Sequence, residues 1–413
     1  LEWLAAWGAY AWVAVPCALL VAWCVLRVLT YMFSWRGRRL LLGSFRRLTR
    51  WEYWPPVFVF PPVVLHQLWT AIVHRTPLVF SACNRDIPFG GLFGESKGDI
   101  LDLFPASSRD GVFVAAYQRL PRKTPIEERM AAVSTFLEAG RCVLKPDQGE
   151  RGAGVVVVKD EASARAWLAS CPYDAIVQEF IAGEEFGVAW CRSPETGLGE
   201  IHSIAHKVLP SLVGDGERCL EDLILAGDRT LAMSRLHLKA QASRLGWVPA
   251  AGERVSLGDL GTHSCGATFF DARDLTSAEL QQSFESFMAD VPGVDFGRFD
   301  VRVPSKQALR AGHGVAVLEF NGVTGEAAHV YQPGYPWYRG VLDMIAHLRR
   351  ASRIGAHNRR AGHAPATFGQ LWSVLVTAMR RPRFEAPAAE VIPTEPDGSK
   401  PVSSALAQDV PEA

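Results

Sequence analysis

Between Trp3 and Leu26 the chain runs for 24 residues without a charge, "WLAAWGAYAWVAVPCALLVAWCVL". So apolar a segment hides in a protein core or in lipid, and lipid leaves a backbone no hydrogen-bond partner but itself, which demands a helix. At about 1.5 Å per residue such a helix is long enough to cross the hydrocarbon layer. The competing readings are a cleaved signal peptide and a buried core helix. A signal peptide opens on basic residues, whereas the only early charge here is Glu2. We therefore expect a membrane span. Arg27, Arg36, Arg38, Arg39, Arg46, Arg47 and Arg50 come directly after it, and the positive-inside rule places them in the cytoplasm.

The next stretch, "WEYWPPVFVFPPVVLHQLWTAIVH" (51–74), is aromatic and interrupted by two Pro-Pro pairs. The prolines, His66 and Gln67 argue against a straight span and for a segment in or dipping into the cytoplasmic face, so that 1–74 forms a single-span anchor with an interfacial piece. Residues 75–345 have globular patterning. "TPLVFSAC" and "DGVFVAAY" read as strands and 124–140 as a helix closed by Gly140. "CVLKPD" and "GVVVVKD" read as a strand pair around a glycine loop, with a helix at 161–169 and strands in "AIVQEFI" and "EEFGVAWC" after it. The expected divisions are a short α/β segment (75–140), a main domain (141–345), a basic helical segment (346–383) and a disordered tail (384–413) rich in Pro, Ala and Glu.

Lysines plus arginines equal acids, 43 against 43, so global charge gives no footprint for nucleic acid. The eight cysteines include no close C-x-x-C pair, which argues against a zinc ribbon or disulfide scaffold and fits a reducing compartment.

Chemistry concentrates in three places. "LKPDQGERGAGVVVV" (144–158) sets Lys145 on a strand directly before glycines at 149, 152 and 154. Glycine lets backbone N–H groups approach an anion, and lysine supplies a compact charge suited to phosphate. A hairpin with an exposed lysine is the plain alternative. In "GRFDVRV" (297–303), strand alternation puts Arg298, Asp300 and Arg302 on one face. In "VAVLEFN" (315–321), it gives Glu319 and Asn321 one face, shared with Val317. Only the "PSKQALRAGHG" segment separates the two strands, so they are expected to pair as antiparallel neighbours. Asp300, Glu319 and Asn321 would then cluster as hard oxygen ligands suited to magnesium bridging phosphates.

The order "VLKPDQGERGAGV", "VQEFIAGEEFGV", "GRFDVRV", "LEFNGVTGE" resembles the ATP-grasp superfamily, nearest to D-alanine–D-alanine ligase-like carboxylate–amine ligases, over roughly 124–345. The resemblance implies an α+β fold in which two subdomains clasp ATP. It gives Lys145 and the loop with Gly152 and Gly154 to the nucleotide phosphates, Glu179 to the adenine hinge and Glu185 to the ribose hydroxyls. Lys207 would be a further nucleotide contact. Asp300, Glu319 and Asn321 would hold Mg2+, and Arg298 would lie near the transferred phosphoryl group. Beyond the resemblance, the guanidinium fork of Arg302, or the 322–338 segment, is expected to orient an acceptor carboxylate, Arg302 being equally suited to pair with a structural Asp or Glu. The implied activity is joining a carboxylate to an amine through an acyl phosphate, on small-molecule substrates; the expected anchor alone places it at the membrane.

The sequence also departs from that pattern. About 65 residues between the membrane segment and Lys145 are too few for the α/β domain that usually precedes such a unit, so a shortened one is expected. Lys97 could be an upstream phosphate lysine, though a surface position at the start of a helix is the plainer reading. "GTHSCGATF" (261–269) has no counterpart, and His263 is a candidate for the acceptor site or an ordinary surface or core residue. His202 and His206 have i, i+4 spacing in a segment that reads as strand, which disfavours zinc. Two other functions stay open at this point: phosphotransfer to a different group, and a non-catalytic nucleotide-binding module at the membrane.

Overall fold

The computed structural model describes residues 2–92, 94–149, 152–258, 266–380 and 384. His263 and Cys265 lie outside them. The chain divides into two compact units, Leu1–Pro55 with Pro210–Asp259, and Pro56–Leu209 with Leu260–Ala413.

The first unit begins with α1 (Glu2–Met32), one helix through Pro16. Its Ala14–Met32 stretch is long and apolar enough to cross a membrane, and none of that stretch is buried. Helix α2 (Trp35–Thr49) starts where the Ser34 hydroxyl caps the Gly37 N–H. Its arginines turn onto α8 (Leu220–Ala226) and α9 (Asp228–Ala232). Arg39 donates to the Leu225 and Ala226 carbonyls at 2.7 and 2.9 Å, where a helix end leaves carbonyls unsatisfied. Arg36 pairs with Glu221, and Arg46 and Arg50 with Asp228. Helix α10 (Ser234–Ala240) and the antiparallel pair β8 (Ser211–Val213) with β9 (Arg254–Ser256) belong to the same unit. The positive run after α1 is thus largely spent on protein contacts. Nothing in the sequence sets 210–259 apart as the partner of the N-terminal segment.

The second unit holds two sheets. The smaller, in the order β2 (Tyr117–Leu120), β5 (Ala175–Glu179), β3 (Cys142–Pro146), β4 (Val156–Val158), is antiparallel. It packs on α6 (Ile126–Leu137) and α7 (Glu161–Ser170) around Val133, Leu144, Trp167 and Val177. The larger runs β1 (Val112–Val114), β12 (Val315–Asn321), β11 (Phe296–Val303), β6 (Glu184–Arg192), β7 (Gly199–Val208), β10 (Thr268–Asp271). Among the described strands only β1 pairs in parallel. Helix α11 (Ala278–Met288) covers one face of this sheet, with Phe284 and Phe287 against Phe299, Phe320 and Trp190. Truncating an aromatic buried so fully costs about 3–5 kcal/mol. The strand reading of 297–303 holds: β11 alternates buried and half-buried residues along its length.

The chain crosses between the sheets twice, at Ala115–Ala116 and at Phe180–Gly183, and the Glu179 N–H donates to the Ala116 carbonyl at 2.8 Å. Short helices α3 (Pro56–Val59) and α4 (Pro61–His74) open the unit, α5 (Lys97–Leu101) precedes β1, and α12 (Lys306–Arg310) joins β11 to β12. Helix α13 (Trp337–Arg360) buries one face, and α14 (Phe368–Arg380) comes after it. One expected strand is absent: within "TPLVFSAC", Val79–Ala82 is a 3-10 turn. An apolar run fits a buried turn as well as a strand, and Val79 here lies against Gly355 of α13.

Candidate active site

The face of the larger sheet opposite α11 carries the polar residues in three cross-strand rows, read off the pairing register. Lys207, Glu185 and Arg302 form the first, Ala205, Gly187, Asp300 and Glu319 the second, Ser203, Ala189, Arg298 and Asn321 the third. Rows are about 6–7 Å apart along the strands. Small residues fill the middle of β6, and at Gly187 a Cβ would stand 3.0 Å from the Arg298 side chain, so glycine makes room for the guanidinium.

Seven of the predicted site residues therefore share one surface. The Arg298 Nε and Nη2 donate to Asp300 at 2.8 and 3.3 Å, and its Nη1 to the Glu326 carbonyl at 3.1 Å. Lys207 Nζ lies 2.8 Å from Asp300 and 3.2 Å from Glu185. Burial opposes a charge on Asp300, but Arg298 and Lys207 outweigh it and hold the carboxyl at about 2. Asn321 reaches Asp300 at 3.5 Å. Glu319 is a third exposed. Arg302 turns the other way, donating to the Ile181 carbonyl at 2.7 Å and to Glu185 at 3.3 Å, with its guanidinium 5.2 Å from the Phe180 ring. Its fork is committed to the crossover beside Glu185.

The expectation for Val317 fails. A bulge at Leu318 shifts the β11–β12 register, so Val317 pairs with Val301 and packs in the core, while Glu319 pairs with Asp300. One extra residue re-aims the remainder of the strand. It also leaves the Leu318 carbonyl to accept Lys145 Nζ at 3.2 Å and Gln178 Nε2 at 3.3 Å. Lys145 thus reaches from the smaller sheet to the larger, with Gln178 Oε1 at 2.9 Å. Burial pushes its ammonium down to about 8, against the pull of Glu319.

Lys97 is a further correction. It opens α5 behind the Ser96 cap, but its side chain is only 11% exposed, donates to the Gly149 carbonyl at 2.7 Å and lies 3.7 Å from Glu319. The contacts are long-range, and no local pattern announces them. Gln178, which holds Lys145, carried no signal either. Glu179 ends β5 at the crossover. Gly152 and Gly154 sit in the β3–β4 connection at φ 73° and 76°, a region glycine enters freely. His202 and His206 share β7, about 13 Å apart on an extended strand; His206 stacks on Phe186 and His202 meets His347, so no zinc pair forms. Beyond the Arg298 row, Ser203 meets His329 at 2.7 Å, His329 meets Asp343 at 3.0 Å, and the Tyr331 hydroxyl donates to Glu326 at 2.7 Å.

No family model matches the sequence, and no curated protein does. Among solved structures the chain is similar to a bifunctional glutathione synthetase from Pasteurella multocida (18% identity, 56% of this chain and 34% of that one, TM-score 0.31). It is similar also to the VanG D-Ala:D-Ser ligase from Enterococcus faecalis (14%, 66% and 63%, 0.35) and to the ATP-grasp ligase PsnB with its minimal precursor (14%, 55% and 51%, 0.29). The chain spans about a third of the first of these proteins and under two thirds of the second. At such identities and TM-scores the likeness carries no argument, and function has to be read from this chain's own residues.

Proposed function

We propose that the protein is an ATP- and Mg2+-dependent carboxylate–amine ligase tethered to a membrane. The observation that carries this is the single polar sheet face, with Lys145 and Lys97 at one side, Glu319 and Asn321 in the middle and Arg298 beyond them. Two lysines offset phosphate charge. Glu185 and Lys207, one row away, would meet the ribose and nearer phosphates, Glu179 the adenine edge, and the loop with Gly152 and Gly154 would fold over the phosphates.

Magnesium keeps few protein oxygens and shares the rest of its shell with phosphates and water. Among the described residues no group of three or more His, Cys, Asp or Glu could hold a metal unaided. Glu319 and Asn321, with Asp300 behind them, fit a metal completed by nucleotide oxygens. When bound, it would neutralise the polyphosphate. Arg298 would steady the phosphoryl group as a carboxylate oxygen bonds to the γ-phosphorus and the bridging bond to ADP breaks. The amine then attacks the acyl carbon, phosphate leaves, and the amine proton passes to solvent. The acceptor lies on the Arg298 side, under the 322–338 segment that carries Glu326 and His329. Arg302 serves this site by fixing Glu185 and the crossover. Stoichiometric phosphate release that needs both a carboxylate and an amine tests the reaction; release with an alcohol alone would indicate phosphotransfer.

Lys145 gives a pH signature. Phosphate needs its charged form, so ATP affinity should fall by about tenfold per pH unit above about 8, and Lys145→Arg should remove that slope. A titration of Kd against pH checks it. The effect on stability has the opposite sign. Because burial disfavours the charged form, the folded chain binds fewer protons than the unfolded one between about 8 and the ordinary lysine value, so this contribution improves as pH rises through that window.

ATP is cytosolic, which requires the second unit inside. Cys142 is fully buried and its thiol is pushed up to about 11, so it is no labelling probe. Leu198 is exposed between β6 and β7. With Cys17, Cys24 and Cys219 changed to Ser, Leu198→Cys should resist an impermeant maleimide in intact cells and react after permeabilisation. Labelling from outside would reverse the topology.

A further inference from the structure

Helix α4 keeps its apolar side uncovered: Leu65 is 66% exposed, Trp69 63% and Ile72 70%, with Val64, Leu68 and Val73 also exposed. A soluble surface seldom carries so large a continuous apolar patch without a partner. At its C-terminal end, where α4 meets α13, lies a cleft of about 520 Å³. Val73, His74, His357, Arg353, Arg359 and Arg360 line it, with Glu195 as its carboxylate. Arg353 pairs with that Glu195 at 2.6 Å. Arg359 gives one of its five N–H groups to the His74 carbonyl, fixing the two helix ends together.

We propose that this cleft binds the phosphate of an anionic phospholipid headgroup while the apolar side of α4 lies in the bilayer interface. The placement supplies both requirements of such a site. Tryptophan and aliphatic side chains on one helix suit the boundary between headgroups and acyl chains. Guanidinium groups of the last two turns of α13, packed beside the C-terminal end of α4, stand where phosphates lie, and their planar forks take a phosphate through two N–H bonds. Commitment to a lipid rather than a soluble phosphate rests on continuity: the cleft's own wall, Val73, belongs to the exposed apolar side. The inference rests on the proposed membrane anchorage and is independent of the catalytic reading.

The test uses the full chain in nanodiscs of phosphatidylcholine, alone or with about one-third phosphatidylglycerol, and tracks amide hydrogen exchange across 61–74 and 353–361. Phosphatidylglycerol should slow exchange of 353–361 several-fold in the native chain and not in Arg359→Glu/Arg360→Glu. That variant should keep native ATP turnover in detergent. Slow exchange of 61–74 is expected in both lipids. Equal exchange of 353–361 in the two lipids would overturn the headgroup site. Equal slowing by inorganic phosphate in detergent would overturn the lipid assignment and leave a soluble anion. Failure of the chain to enter nanodiscs at all would instead overturn the anchorage.

Discussion

Glu319→Gln combined with Asn321→Ala should abolish Mg2+-dependent turnover, by about a thousandfold or more, and leave the fold intact. Glu319 is a third exposed and Asn321 half-buried on the polar face, so neither supports the core built on Phe299 and Phe320. Removing the proposed protein ligands of the metal would withdraw charge neutralisation worth several kcal/mol in the transition state, and each 1.36 kcal/mol is about tenfold in rate. Asp300 stays in place, because Arg298 and Lys207 hold it irrespective of the other two. Single-turnover assays across a magnesium titration, with thermal unfolding as the control, check this. Undiminished turnover would remove Glu319 and Asn321 from the metal.

Arg298→Lys should lower kcat by about a hundredfold while the Kd for ATP changes little. The guanidinium clamps Asp300 through two N–H groups and the Glu326 carbonyl through a third. Lysine keeps the charge but cannot hold all three and still meet a phosphoryl oxygen. Losing one positioned donor to a developing charge typically costs two to three orders of magnitude. In the proposed reading ATP affinity rests on Lys145, Lys97 and the first row, which the change leaves alone. A parallel fall in affinity and kcat would make Arg298 a ground-state contact. No change in either would move the acceptor site elsewhere.

Alternation along a strand is the part of this site that the sequence makes legible. Arg298, Asp300 and Arg302 share a face because β11 is regular, and the short α12 connection sets it antiparallel to β12. Val317 escapes the same reasoning because a bulge adds a residue that no local pattern marks. Lys97 escapes because its partners, Gly149 and Glu319, are brought by tertiary folding. Arg302 illustrates a third limit. Its face is readable, but which way a long side chain leans along that face depends on Ile181 and Glu185 across the sheet. Likewise, the basic run after α1 is visible at once, while its acidic partners at 221 and 228 become meaningful only when 210–259 folds against it.

The two chain crossings between the sheets have a mechanical consequence. They lie side by side, joined by the bond from Glu179 to Ala116, so any swing of the smaller sheet would turn on both at once, as on one axle. The smaller sheet is an arm on that axle: β2 and β5 are at the pivot, and β4 is two strand spacings out, about 10 Å. A swing of about 20° would carry the tip, where Gly152 and Gly154 sit, through ~3–4 Å while Lys145, nearer the pivot, travels about half as far. In such a swing a nucleotide held as proposed would lose the tip's contacts first, while the lysine is still close to the strand that bears Glu319.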